Sequence, residues 1–499
     1  MSEPNPRYVL AIDQGTTSSR AVIYDGTGTA IGSVQREIEQ IYPRPGWVNQ
    51  DAMHIWEVTL DVTRRVLAET GIPAGAIAGI GITNQRETTV LWDRATGQPV
   101  APAIVWQSRQ SAPLIDAIRA RGMAETYQRI TGLVPDAYFS ASKIAWLLDG
   151  DDVLRRRAEA GEIAFGTIDA WLIWNLTGGA VHSTDYANAS RMMLYDIRRL
   201  EWSPELLADL GIPAAILPDV HGNSEVIAQT DPALFGAAIP IAGSGGDQQC
   251  ALFGQACFAP GEAKNTYGTG SFLLMQTGTE VVTSTHQLLS TIAWGIDGVV
   301  EYALEGSIFV TGSAVQWLRD GLGIIRHARD IEPLAATVPD AGGVTFVPAL
   351  SGLGAPFWDA NARGTISGIT RGTTAGHIAR ATLEGIAFQS RDVLDAMQRD
   401  GEIALGALRV DGGAAQNDLL MQIQADVLGV AVERPEVIET TVRGAAFLAG
   451  LATGVWTSRD DLRAGLAIDR RFEPAIGDDE RESRYAAWRD AVQRTLTLA

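Results

Sequence analysis

The chain alternates short apolar runs with amphipathic stretches, and their order predicts its architecture. Residues 8–12 are apolar enough for a buried strand. Residues 20–24 and 29–38 read as the next two strands, with "DGTG" at 25–28 as the hairpin turn between them. In "DAMHIWEVTLDVTRRVLAETG", Ile55, Val58, Val62 and Val66 recur at helical spacing, with Asp51 placed to cap the start and Gly71 to stop the end. "AIAGIGIT" at 76–83 returns to a short apolar strand, so the opening order is β-β-β-α-β.

The second half runs through a similar order. "KNTYGTGSFLLMQTG" at 264–278 reads as strand, Gly-Thr-Gly turn, strand, and "LLSTIAWGIDGVVEYALEG" adds strands around an Asp-Gly turn. "SAVQWLRDGLG" is helical. Strands at "VTFVPAL" and "ALRVDGG" then alternate with helices at "GHIARATLEGIAFQSRDVLDAMQ" and "NDLLMQIQADVLG", the last presenting Leu419, Ile423 and Val427 on one face. Local identity between the halves is low, so the expectation is a structural repeat. The division falls near residue 252, which predicts α/β domains over 1–252 and 253–499 facing each other across a cleft, the usual place for a ligand.

Composition narrows the function classes. A chain of 499 residues exceeds what one core supports, in line with two domains. No stretch approaches the ~18 apolar residues of a membrane span. "MSEPNPRYVL" has no apolar core of a secretory leader, so none is expected. The cysteines, Cys250 and Cys257, fit neither a metal site nor a disulfide framework, and the expected compartment is a reducing cytoplasm. A formal charge of −20 argues against a nucleic-acid partner. Any phosphate must therefore be held by local donors. Of the 39 basic residues only Lys143 and Lys264 are lysines, either through a general bias toward arginine or because these places need a compact ammonium.

The turns supply candidate donors. In "YVLAIDQGTTSSRAVIYDGTG" an apolar run stops at Asp13, Gly15 permits close approach, and Thr16, Thr17 and Ser18 add hydroxyls, with Arg20 as a nearby cation. Backbone N–H groups and hydroxyls in such a turn suit a phosphate chain, and a carboxylate at the strand end suits a cation beside it. Taken alone, a merely polar hairpin reads the same way. The second turn, "YGTGS" at 267–271, favours phosphate, because two facing hairpins can grip one triphosphate. "LRVDGGAAQN" places Gly412 and Gly413 at a strand end, where a base and ribose can lie, with Asn417 offering an amide. Arg86 and Glu87 follow one apolar strand, and Asp247 and Gln248 another. Each set reads either as a binding group or as structure: a rim ion pair for the first, a helix N-cap for Asp247.

Six stretches, "AIDQGTTSSRAV", "GITNQRETT", "PGWVNQD", "GDQQCALFGQ", "AKNTYGTGSF" and "GLGAPFWDANARG", together resemble the FGGY carbohydrate kinase family over nearly the whole chain. "NQRETT" and the second hairpin resemble the members that act on glycerol rather than on a pentulose. The resemblance implies a duplicated actin-like ATPase (ribonuclease H-like) fold. It also implies ATP-dependent phosphorylation of glycerol to sn-glycerol 3-phosphate, the first step of glycerol utilisation, with Mg2+ and with dimeric or tetrameric self-association. Residue by residue, Asp13 resembles the metal-associated aspartate. Thr16, Thr17, Ser18 and Arg20 match the first phosphate hairpin, and Thr269 matches the second. Gly312 and Gln316 match nucleotide contacts, and Gly413 and Asn417 the adenosine region. Arg86, Glu87, Tyr138, Asp247 and Gln248 match the hydroxyl-binding set, Trp106 and Phe272 the aromatic walls, and Asp247 the general base.

The chemistry is coherent with that set. Each hydroxyl of a triol both donates and accepts, so a donor such as Arg86 and acceptors such as Glu87 and Asp247 are all needed. Trp106 and Phe272 would cover the C–H faces. In some relatives a Gly-rich, Arg-containing loop binds fructose 1,6-bisphosphate, and in others a histidine is phosphorylated. "QTDPALFGAAIP" has neither the Arg nor a Gly cluster, and no histidine lies between His221 and Asp247, so neither control is expected. The competing readings are a kinase for another polyol or ketose and, from a different class, an ATP-driven filament or chaperone. The latter leaves Arg86, Glu87, Tyr138 and Asp247 without a task.

Overall fold

The computed structural model describes residues 8–497; the leaderless start read from the sequence falls mainly on residues 1–7, outside the described residues. The thirteen strands of the main sheet are β1 (Tyr8–Gln14), β2 (Ser18–Asp25), β3 (Ala30–Glu37), β4 (Ile77–Asn84), β5 (Ser224–Gln229), β6 (Pro240–Gly246), β7 (Ala263–Tyr267), β8 (Ser271–Gly278), β9 (Leu289–Ile296), β10 (Val299–Ile308), β11 (Ala407–Asp411), β12 (Ala431–Pro435) and β13 (Ile468–Phe472). The helices that position the site are α1 (Ala52–Thr70), α2 (Asp247–Gly254), α3 (Gly312–Asp320), α4 (Ala375–Gly401), α5 (Asp418–Leu428) and α6 (Thr440–Ala452).

The expected repeat is present in the topology. Across the sheet the order is β13-β12-β11-β7-β8-β10-β9-β5-β6-β4-β1-β2-β3. In one half β3-β2-β1 is antiparallel and β1-β4-β6 parallel. In the other β10-β8-β7 is antiparallel and β7-β11-β12 parallel. The halves are not wholly separate sheets, however. The parallel pair Ser224↔Ile296, between β5 and β9, joins them into one ladder.

Local rules explain the elements. Asp51 caps α1 by accepting from the N–H groups of Met53 (2.9 Å) and His54 (3.3 Å), and Gly71 closes it at φ 68°. The face bearing Ile55, Val58, Val62 and Val66 is fully buried against Leu10, Ile12 and Ile23. Each such side chain contributes about 1.5–3 kcal/mol of hydrophobic stabilisation. Around the Asp-Gly turn between β9 and β10, Asp297 (φ 51°) and Gly298 (φ 77°) adopt the left-handed backbone that suits the twist of a two-residue hairpin.

Parallel strands of both halves carry the candidate residues at or just beyond their carboxyl ends. Asp13, Arg86 with Glu87, and Asp247 stand at the ends of β1, β4 and β6, and Thr269 and Gly413 just past β7 and β11. The helices α2 and α6 touch along their backbones: a Cβ on Gly254 would lie 2.0 Å from the Thr440 carbonyl oxygen, and a Cβ on Gly444 1.9 Å from that of Cys250. Only glycine fits at either point, and the contact seats α6, from late in the chain, beside the early strands. Cys250 and Cys257 are both free and buried. No helix among the described residues is long and apolar enough to cross a membrane.

Candidate active site

At one end of the cleft lies a compact charged floor. Arg86 is buried and forks onto Glu305 of β10, with Nη1 to Oε2 at 2.6 Å and Nη2 to Oε1 at 2.9 Å. Its Nε lies 3.1 Å from Asp247 Oδ1, and Nη1 also donates to Gln249 Oε1 at 3.2 Å. Glu87, equally buried, accepts from Arg191 Nε at 2.7 Å, and Arg191 Nη2 donates to Glu305 Oε1 at 3.0 Å. The ion pair read from the sequence, Arg86 with Glu87, is loose at 3.8 Å; each residue has a better partner elsewhere in the chain.

Glu87 is held in an unusual backbone. Its φ is 61° and the Thr88 N–H donates to the Arg86 carbonyl at 2.7 Å across it, a tight γ-turn. Such a conformation costs on the order of 1–3 kcal/mol and persists only where the surroundings hold it. Here Ser140 Oγ and Lys143 Nζ both donate to the Glu87 carbonyl, at 3.0 and 3.5 Å. Lys143 Nζ also donates to the carbonyls of Tyr138 and, at 3.1 Å, Phe139. Burial lowers its pKa to about 7, with Glu87 and Asp136 opposing that.

Asp247 is the first residue of α2, not its cap, which is Gly246. Its carboxylate still meets an orphan donor, the Gln248 N–H at 2.8 Å, and its side chain is 32% exposed to the cleft. Burial raises its pKa, while Arg86 and Lys264 pull it down. Lys264, wholly buried, donates to the Gln248 side-chain oxygen, to Thr266 Oγ1 at 2.8 Å and to the Phe272 carbonyl at 3.2 Å. Both lysines thus serve as compact donors to clustered oxygens, the second of the two readings. Arg86 Nη2 reaches Tyr138 Oη at 3.5 Å, and the Trp106 ring lies edge-on to those of Tyr138 and Phe272 at 5.5 and 6.5 Å. The structure therefore brings Arg86, Glu87, Trp106, Tyr138, Asp247, Gln248 and Phe272 together.

The other end of the cleft is built from turns. Gly15, Thr16 and Thr17 form the tip between β1 and β2, closed by the Gly15 N–H to the Ser18 carbonyl at 2.9 Å. Thr16 is gripped from two sides: Gln50 Nε2 donates to its carbonyl at 2.6 Å, and Trp106 Nε1 to its Oγ1 at 2.9 Å. Gln85 in turn donates to Gln50 Oε1 at 2.8 Å. Thr17 is exposed and Ser18 half-buried. Arg20 bonds Gln35 Oε1 at 2.6 Å and pairs with Glu439 at 2.5 Å. Asp13 has no side-chain hydrogen-bond partner among the described residues. Burial raises its pKa to about 7, with Asp247 and Glu439 adding to the rise and Arg20 opposing it.

The second turn is anchored differently. The Thr311 and Ser313 N–H groups donate to the Thr269 carbonyl (3.0 and 3.1 Å), and the Gly312 N–H to that of Gly268 (3.0 Å), so the turn lies on the start of α3. A Cβ on Gly312 would sit 2.6 Å from Gly268 O. Thr269 is exposed, and Gln316 is exposed one turn along α3. Gly413 faces open space, with nothing near where a Cβ would be. Asn417 spends its side-chain oxygen capping α5 through the Leu420 N–H at 2.8 Å, leaving its amide N–H groups as donors.

Among the described residues no cluster of three or more His, Cys, Asp or Glu side chains could by itself hold a metal. The unpartnered Asp13 fits instead a hard cation of the magnesium kind, which takes one or two carboxylates and completes its shell with phosphate oxygens and water.

A duplicated sheet of this topology, with a glycine-turn hairpin from each half at the cleft, is the actin-like ATPase fold. The chain belongs to the FGGY family of carbohydrate kinases, matching its N-terminal domain over residues 8–254 and its C-terminal domain over residues 263–453. Glycerol kinase 2 of Thermotoga maritima is 58% identical over 490 residues, spanning 98% of this chain and 99% of that protein. The glycerol kinase of Symbiobacterium thermophilum is 59% identical over 490 residues, 98% of each. Among solved structures, Plasmodium falciparum glycerol kinase with ADP superposes over 100% of both chains with a TM-score of 0.94 at 37% identity. A ligand-bound xylulose kinase from Lactobacillus acidophilus shares the fold, with a TM-score of 0.89 at 22% identity over 98% of this chain and 97% of its own.

Proposed function

We propose that the chain is a glycerol kinase, transferring the γ-phosphoryl group of ATP to glycerol and releasing sn-glycerol 3-phosphate and ADP. One observation carries the reading: a partly exposed carboxylate, Asp247, sits against a buried donor, Arg86, beside a ring cluster whose Trp106 bonds Thr16 of the first glycine turn. The full-length identity to glycerol kinases supports glycerol as the acceptor.

In this reading Arg86 donates to glycerol hydroxyls, Glu87 and Asp247 accept from them, and Tyr138 and Gln248 complete the set. Trp106 and Phe272 cover the carbon chain. A site made this way rejects analogues lacking a hydroxyl, because its own buried groups are then left unpaired. Asp247 takes the proton of the terminal hydroxyl as that oxygen attacks the γ-phosphorus. Burial raises its pKa and so strengthens it as a base, while the charges of Arg86 and Lys264 favour its ionised form. Thr16, Thr17, Ser18 and Arg20 on one hairpin and Thr269 on the other hold the phosphates, while Gly312, Gln316, Gly413 and Asn417 hold the nucleoside. Magnesium beside Asp13 would neutralise charge on the phosphate oxygens. Positioning supplies most of the rate, as is general for phosphoryl transfer. The domains 1–252 and 253–499 close over the substrates and exclude water. The family resemblance supports a cytoplasmic, self-associating enzyme at the first step of glycerol utilisation.

The test is ADP release with and without glycerol, and with xylulose or ribulose in its place. Glycerol should be required and preferred. Turnover indifferent to glycerol would refute the reading.

A further inference from the structure

The roles above employ Arg86 and Glu87 but leave two buried charges beneath them unexplained. Arg191 and Glu305 are each 0% exposed, so neither reaches a bound polyol as a surface group would. They come from opposite halves of the fold: Arg191 follows a short helix over Tyr186–Ala189, and Glu305 lies within β10. Their bonds make an alternating chain of charge, Arg86 to Glu305 to Arg191 to Glu87.

This chain decides what the polyol meets. Glu305 accepts one hydrogen from each terminal nitrogen of Arg86 and so fixes the plane of its fork, turning the second hydrogen of Nη2 toward Tyr138 Oη, 3.5 Å away. Arg191 occupies Oε1 of Glu87 and leaves Oε2 without a partner among the described residues. The Arg191 segment is itself stitched to the Arg86 turn. Asn84 and Asn188 exchange side-chain amide hydrogen bonds, both at 3.0 Å, and Asp185 accepts from the Asn188 backbone and side-chain N–H groups, both at 2.8 Å. The Arg191 guanidinium also lies over the rings of Tyr138 (5.7 Å) and Phe139 (5.2 Å), a cation–π contact reaching the aromatic wall. Removing either charge would leave its neighbours buried and uncompensated, free to re-pair.

We propose that Arg191 and Glu305 are positioning residues for polyol recognition, fixing Arg86 and Glu87 in the orientation that hydroxyls require. The proposal rests on the glycerol-kinase reading. It commits to more than stability: both residues act on the polyol end of the cleft and not on the nucleotide end. Oε1 of Glu87 is the atom through which Arg191 acts, and the fork of Arg86 the group through which Glu305 acts.

The experiment compares initial rates of the full chain with Arg191→Lys and Glu305→Gln, varying glycerol and ATP separately, with thermal melts to check folding. Arg191→Lys keeps the charge and loses the fork; Glu305→Gln keeps the shape and loses the charge. The expected result is a glycerol KM raised about tenfold or more in each variant, with the ATP KM changed by less than about twofold. Adding Arg191→Lys to Glu87→Gln should raise the glycerol KM little beyond Glu87→Gln alone, since both act through one carboxylate. Variants that lose only folded fraction, or whose two KM values move together, would overturn the positioning role. A parent chain that releases no ADP with glycerol would overturn the functional reading, and the proposal with it.

Discussion

The two ends of the cleft are built on opposite principles. At the end proposed for the polyol, side chains from both halves lock one another in a buried lattice of alternating charge, so their geometry is set by the fold. At the phosphate end, main-chain turns and short hydroxyls lie open, and the nearest cation, Arg20, is shared between Gln35 and a half-exposed Glu439. Under the proposed function, the difference follows from what each end must recognise. A small neutral triol offers little binding surface and is told apart only by the direction of its hydroxyls, which requires rigid partners. A triphosphate carries its own charge, and backbone N–H groups suffice to grip it. Glu305 and Asp13 express the contrast in protons. Burial would raise Glu305, but Arg191 and Arg86 outweigh it and hold the group at about 2. Burial raises Asp13 to about 7 with only Arg20 opposing it.

The comparison can be broken most sharply where the ends meet. Asp247→Asn should lower kcat by roughly 10²–10⁴ while nucleotide binding persists, as steady-state rates and ADP titration would report. Near-parental turnover would remove Asp247 as the base. Next comes the lattice itself. Arg86→Met leaves Glu305 facing Arg191 alone, and chemical denaturation should give a loss of about 3–5 kcal/mol. The matching change at the open end, Arg20→Met, should alter stability by less than about 1 kcal/mol, because exposed pairs contribute little. Its effect should fall on the ATP KM. If both variants destabilise equally, the contrast between the ends is lost.

A smaller effect belongs to the second hairpin. Gly312→Ala drives a methyl against Gly268 O, displacing the turn from α3. Nucleotide affinity should fall on the order of tenfold, about 1.4 kcal/mol, with the glycerol KM held. The last test is a pH trend. Asp13, raised from 3.8 to about 7 in the folded chain, stabilises fully below about pH 4 and gives that up as pH rises through about 7. Glu305, lowered from 4.5 to about 2, does the reverse: its contribution is complete above its unfolded pKa and disappears as pH falls through about 2. Between pH 5 and 8 only Asp13 changes protonation of the two, so Asp13→Asn should flatten the decline in melting temperature across that range. An unaltered slope would assign it to another group.

The sequence disclosed the ends of this site better than its foundations. Asp13, Arg86, Glu87, Asp247 and both glycine turns stand at strand ends, where punctuation after an apolar run is visible, and the helices α1 and α5 carry clear periodicity. The partners beneath were hidden because they are distant in sequence. Glu305 lies in "VVEYALEGSI", and Arg191 in "NASRMML". The only signal either gave was a lone charge beside buried apolar positions, which rarely occurs without a partner. Gln50 lay within "PGWVNQD", but its grip on Thr16 depends on a turn distant in the chain. The junction of the two half-sheets at Ser224↔Ile296 had no sequence signal, since one ladder pair leaves no pattern.

The bond from Trp106 to Thr16 carries a consequence for polarity. An indole nitrogen can only give a hydrogen, so the threonine oxygen it meets must receive, and the hydroxyl's own hydrogen has to face another way. That hydrogen is left to be given to an arriving anion. Replacing the indole by a plain benzene ring would let the hydroxyl rotate, and this one alcohol would lose its bias toward giving its hydrogen away.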